Sequence, residues 1–180
     1  PDKLNSYLWL RKSPNRPYYT EIYHPSKWRA WLDFGTGWSG DIGCHVFDAT
    51  WKALDLTAPK AIHARVQESW KNSKPRRGDT WPQSDHITWT FPGNSLTEKD
   101  EITIEWFDGL FYPPEEAQKW YHGDKYPPES ALIVGTEGAV LIPNGGGAML
   151  LPRDKYKGTV KPDLDPRNHY HHFLDAILGK

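Results

Sequence analysis

The chain has 180 residues, enough for one domain with a substantial core, and a formal net charge of −1. That balance argues against a nucleic-acid partner, and the one basic stretch, 71–77, reads as a solvated loop. A single cysteine, Cys44, excludes an intramolecular disulfide, and no apolar run approaches the roughly 20 residues of a membrane span, so no membrane partner is expected.

Residues 1–34 are rich in Pro, Tyr and Trp without periodicity and read as an extended arm. Within it, 7–10 reads as a short strand or turn, and Pro14 and Pro17 mark turn chemistry because proline fixes φ and lacks a donor. The arm leads to a short helix at 27–32, on which Trp28 and Trp31 share a face. Residues 40–56 form the main helix, since Ile42, Val46, Ala49, Ala53 and Leu56 recur at three- and four-residue spacing. Residues 61–71 alternate, Ile62, Ala64, Val66 and Glu68 against His63, Arg65 and Gln67, which is the period of a strand. A loop is expected over 72–83. Strands at 85–91 and 101–107 form an antiparallel pair with one buried face. A brief helix at 114–121 precedes a hairpin of 131–134 and 139–142, and 149–151 adds an edge strand. The chain closes with a helix at 169–178, where Tyr170, Phe173, Leu174 and Ile177 keep helical spacing behind a cap drawn from Asp163, Asp165 and Pro166. Strands without βαβ alternation predict an α+β fold: a mostly antiparallel open sheet with a few helices packed on one face. One domain spans 1–180, with the arm at 1–34 and the body at 35–180.

The stretch 35–48 carries the chemistry. Glycines at 35, 37, 40 and 43 permit positive φ or a close approach, and the loop they form runs into the main helix. On that helix Asp41 and His45 are four apart and share a face, with Asp48 three residues beyond. An acid, an imidazole and a second acid make a plausible proton-transfer cluster, because histidine titrates near neutral pH. The same spacing also suits an acid complementing the helix dipole and a satisfied core histidine. Trp38 in the loop and Arg29 ahead of it join Asp48 as candidate substrate contacts. Cys44 reads as a small packing residue rather than a reactive thiol. Ten tryptophans, nine tyrosines and six phenylalanines suit sugar-binding faces and equally suit cores or interfaces. The run at 144–147 (Asn-Gly-Gly-Gly) reads as a turn, because no phosphate-loop ending follows it. His169, His171 and His172 read as packing or solvated side chains; no metal site is expected.

The stretch from His24-Pro-Ser-Lys-Trp28 through Gly35-Thr-Gly-Trp-Ser-Gly-Asp-Ile-Gly-Cys-His-Val-Phe-Asp48, followed by Trp51, Leu54, Leu56 and Pro59, resembles the C-terminal domain of the Gfo/Idh/MocA oxidoreductases. Residues 133–140 and 169–177 are similar to it as well. The resemblance implies that Asp41 and His45 contact a substrate sugar, that His45 helps move its hydroxyl proton, and that Asp48 orients it. It implies a sheet whose free face makes a subunit interface, hence a homo-oligomer. It also implies a sugar or polyol substrate and NAD or NADP held by a separate N-terminal Rossmann domain, with no cofactor in this part. The family's catalytic lysine lies in a Glu-Lys-Pro motif that this chain lacks, and the family's closing strand is missing too. The chain therefore reads as the C-terminal fragment of an NAD(P)-dependent oxidoreductase, inactive alone. The alternative is a stand-alone carbohydrate-binding or interaction module.

Overall fold

The computed structural model describes residues 3–10, 12–23, 26–121, 126–160, 162–163 and 168–180. The arm is folded back on the body instead of extended. Ser6–Leu10 is a helix, α1, where a strand or turn was expected. The reason is local: the Asn5 side chain accepts from the Leu8 N–H at 3.1 Å and its carbonyl accepts from Trp9, which is the geometry of a helix cap. Trp9, Tyr23, Trp31 and Phe34 then meet with ring centroids 5.0–5.9 Å apart. A 3-10 helix, Lys27–Ala30, ends before residue 32 because Trp31 forms an antiparallel bridge with Thr80.

The main helix, α2, spans Gly37–Ala53 and so begins inside the glycine loop. It buries Ile42, Val46 and Thr50. The Asn94 side chain donates to the carbonyls of Leu54 and Asp55 at its end, at 2.8 and 3.2 Å, satisfying groups that a helix terminus leaves orphaned. Three strands follow, β1 (Ala61–Val66), β2 (Asp85–Pro92) and β3 (Glu101–Phe107), paired antiparallel in that order. The alternation at 61–71 does not carry β1 to its end, and the loop expected at 72–83 is largely helical. Two short helices, α3 (Glu68–Lys71) and α4 (Lys74–Asp79), occupy 68–79. Ser73 caps α4 by accepting from the Arg76 N–H, and Pro75 sits in its first turn, where no N–H is needed. The first sheet meets α2 through aromatic rings: Phe47 stacks on Trp89 at 5.7 Å, and Trp51 meets the buried Phe91 edge-on at 5.6 Å.

After β3 come α5 (Glu115–Gln118) and a 3-10 turn, Lys119–Tyr121. Strands β4 (Ser130–Val134), β5 (Ala139–Pro143) and β6 (Met149–Leu151) form a second antiparallel sheet. Its core is Ala139, Leu141 and Leu151, with Trp120, Tyr121 and Met149 packed on it. Helix α2 also touches β4 and β5, so it lies against both sheets. The fold is α+β and its strand pairings are antiparallel, but the strands divide into two sheets of three rather than one. Prolines at 113, 114, 127 and 128 lie in the long connection between β3 and β4, outside both strands. The run at 144–147 is a turn, with Gly145 at φ 69°. The last helix, α6 (His169–Ile177), is capped by Asn168, which accepts from the N–H groups of Tyr170 and His171, so Asp163 is not its cap. Asp165 and Pro166 lie outside the described residues. Tyr170, Phe173 and Ile177 on α6 are exposed. Among the described residues, no helix is long and apolar enough to cross a membrane.

Candidate functional site

The glycine loop is shaped by close approaches. A Cβ on Gly35 would lie 2.7 Å from the Arg29 Cα, so the loop can cross the 3-10 helix only as glycine. Gly37 has φ 74° and faces the Trp81 ring, whose atoms would lie 3.2 Å from an added Cβ. The Trp81 indole N–H donates to the Gly35 carbonyl at 2.7 Å and clamps the loop from the other side.

Three of the five residues singled out from sequence come together here. Arg29 Nε lies 2.5 Å from Asp41 Oδ2, with both side chains about one-third exposed at 32% and 33%. Neither atom finds a hydrogen-bond partner of proper alignment, so the contact is a close pairing of charges, not a directed hydrogen bond. The Arg29 guanidinium stands 5.4 Å from the Trp38 ring centroid, within cation–π range. Arg29 and Trp38 line a cleft of about 700 Å³ together with Lys27, Trp31, Arg76, Trp81 and Asp108 among others, whereas Asp41 pairs with Arg29 outside that lining. Trp38 and Trp81 remain 40% and 36% exposed, so both offer apolar ring surface to a ligand.

The other two candidates lie elsewhere. His45 is exposed, one turn beyond Asp41, and does not line the cleft. Its exposure excludes the core-histidine reading. Asp48 is exposed and pairs with Lys52 at 3.1 Å, the ordinary i,i+4 pairing of a solvated helix face, so the structure does not bring it to His45 as an orienting partner. Cys44 is exposed too, not packed as expected.

A carboxyl pair stands at the cleft wall without any sequence motif: Asp85 is buried, and Asp108 is half-buried and lines the cleft. The Asp85 N–H donates to Asp108 Oδ1 at 2.5 Å, the Trp106 indole donates to Asp108 Oδ2 at 2.8 Å, and the Asp108 N–H donates back to the Asp85 carbonyl at 3.0 Å. Burial, reinforced by the Asp108 charge, pushes the Asp85 carboxyl up to about 6 against an opposing hydrogen bond from Ser39. Ser39 belongs to the first turn of α2, so this bond ties the loop side of the cleft to β2. Burial also raises Asp108, opposed by its bonds from Trp106 and Asp85. Gly109 completes the turn at φ 60°, where a Cβ would fall 2.2 Å from Ser84 Oγ. A signal was available: extending the β2–β3 register one step beyond His86 and Phe107 sets Asp85 opposite Asp108. Like charges directly opposed weaken a sheet, so an acid pair there is worth noticing.

A second hollow of about 600 Å³, more open to solvent, lies beside Arg16, Tyr23, Trp31 and Asp79. Its cation is already matched. Arg16 pairs with Asp33 and, at 2.9 Å, with Asp79, and stands 5.3–5.8 Å from the rings of Tyr23, Trp31 and Phe34. Burial opposes the Arg16 charge, but the bonds to Asp79 and Tyr23 and the charges of Asp79 and Asp33 outweigh it and raise the guanidinium above its ordinary range.

Among the described residues no group of three or more His, Cys, Asp or Glu could hold a metal ion. These residues do not fit a dinucleotide either. The glycine-rich turn follows a 3-10 helix rather than a strand, and both sheets are antiparallel, whereas the dinucleotide fingerprint joins a parallel strand to a helix. Compared with known proteins, the chain matches no family model and no curated sequence.

Proposed function

We propose that the chain is the substrate-binding and proton-transfer part of a sugar or polyol oxidoreductase whose NAD or NADP is bound by a separate domain. The observation that carries this reading is the aromatic-walled cleft opening at the same helix start that bears Asp41 and His45. Trp38 and Trp81 take the C–H faces of a sugar ring. Arg29 faces Asp41 through Nε, which leaves its terminal N–H groups to donate to sugar hydroxyls. Asp41, fixed by Arg29, accepts from a hydroxyl. His45 stands one turn further, about 5–6 Å along the helix face, at the rim where a second domain would close. There it accepts the hydroxyl proton as hydride leaves the same carbon. The exposed apolar residues of α6 support self-association in this reading.

The test is His45→Ala and Asp41→Asn in the enzyme that joins this chain to its dinucleotide-binding domain. Turnover should fall by roughly 10²–10⁴-fold with the thermal midpoint unchanged. Near-normal turnover in His45→Ala would overturn the assignment. A second reading, a carbohydrate-binding module without catalysis, is favoured by one fact: neither His45 nor Asp41 belongs to the cleft lining. It predicts sugar binding by this chain and no catalytic consequence of changing His45.

A further inference from the structure

We propose that the ligand of this cleft carries an oxyanion, and that it is a sugar acid such as a hexuronate. The proposal rests on reading the cleft as a sugar site and adds the charge of what enters it. The carrying observation is Arg76 of α4. This half-buried arginine lines the cleft, and its guanidinium is held in place by two neutral acceptors: Nη1 donates to Ser69 Oγ at 3.3 Å and Nη2 to Gln83 Oε1 at 3.2 Å. Each of the other two arginines bordering this region meets a carboxylate, Arg29 on Asp41 and Arg16 on Asp33 and Asp79. A guanidinium has five N–H groups in a rigid fork that matches a carboxylate or phosphate. Two are occupied at Arg76, so the fork is oriented but its charge is unmatched.

No carboxylate near the cleft forms an ion pair with Arg76 among the described residues. Asp108 lines the cleft, but its oxygens accept from Asp85 and Trp106, not from Arg76. Glu21 is exposed at the edge. Lys27, also lining the cleft, has no ion-pair partner among the described residues. Helix α4 adds Lys74 and Arg77 beside Arg76, while its one acid, Asp79, is taken by Arg16. An anionic group seated on Arg76, with the attached ring against Trp81 or Trp38, uses both the unmatched charge and the apolar walls. A bare phosphate would use the charge alone.

Calorimetric titration of the 180-residue chain with glucuronate, glucose and inorganic phosphate separates these cases. Glucuronate should bind roughly tenfold tighter than glucose, as one charge-assisted hydrogen-bonded pair provides. Arg76→Gln should remove that preference, bringing glucuronate to the affinity of glucose. Lys27→Gln, at an exposed position with no ion pair among the described residues, should reduce the preference about threefold and serves as the second variant if Arg76→Gln lowers the thermal midpoint. Equal affinity for glucuronate and glucose would overturn the oxyanion inference while leaving the sugar site standing. Binding of neither sugar at tens of millimolar, a weak-affinity range, would overturn both. Phosphate binding as tightly as glucuronate would show an anion site without sugar recognition and would overturn the sugar-acid assignment.

Discussion

Arg16 and Arg29 sit in neighbouring clusters built from the same parts, and Trp31 lines the hollow beside each. Arg16 has two carboxylates and three aromatic rings around it and is 16% exposed. Arg29 has one carboxylate and one ring and is 32% exposed. The first cluster is nearer complete: two carboxylates match its charge and three rings surround it, although Arg16 Nε, like Arg29 Nε, is buried without a hydrogen-bond partner, and it pins the arm to the body. The second is left incomplete beside an open volume with two half-exposed indoles. Residue type alone does not separate a structural arginine from a binding one; the number of carboxylates and rings the chain itself places around it does.

The largest effect expected from this contrast is on stability. Arg16→Ala removes the partner of Asp33 and Asp79 and opens the aromatic cluster, and should cost about 2–3 kcal/mol in urea unfolding, given that both acids keep some water contact. Arg29→Ala should cost under about 1 kcal/mol, as a partly exposed pair does, while weakening sugar binding. Equal costs for the two variants would erase the distinction.

A smaller effect concerns the wall behind the cleft. Asp85 keeps its proton up to about pH 6 in the fold but only to its ordinary 3.8 when unfolded. The folded state therefore binds more protons between those values, so the Asp85 contribution is fully present below about pH 4 and is lost as pH rises through 6. Asp85→Asn, whose carbonyl can still accept from Ser39, should raise stability at pH 7.5 by about 1–3 kcal/mol and make no difference below pH 4. A variant that is less stable at pH 7.5 would show that the charged carboxylate, not its burial, governs that wall.

The parts of the fold legible in the sequence are those with enough residues to set a period. Strand β3 alternates Ile102, Ile104 and Trp106 inward and stands where that spacing puts it, and α2 repeats Ile42 and Val46 but starts and ends three residues earlier than expected, at Gly37–Ala53. Helices α1, α3 and α4 are four to six residues long, too short for periodicity; Asn5 and Ser73 cap α1 and α4, and α3 has no side-chain cap. Division into two sheets depends on which distant strands pair, which no local pattern reports. At the site, the glycine loop was visible because close approach demands glycine. The Arg29–Asp41 pair, the Trp81 clamp and the opposition of Asp85 to Asp108 are tertiary crossings between segments 12 or more residues apart, without a shared motif.

The most direct test of the account is an indole N–H nuclear magnetic resonance titration of the chain with glucose and then glucuronate. Ten tryptophans give ten assignable reporters placed throughout the fold. The account predicts that Trp38 and Trp81 shift together and saturate at one ligand concentration, while Trp9 in the arm cluster and Trp120 against the second sheet stay fixed. Shifts confined to Trp9 and Trp31, or no shift at Trp38 and Trp81 with either sugar, would contradict it.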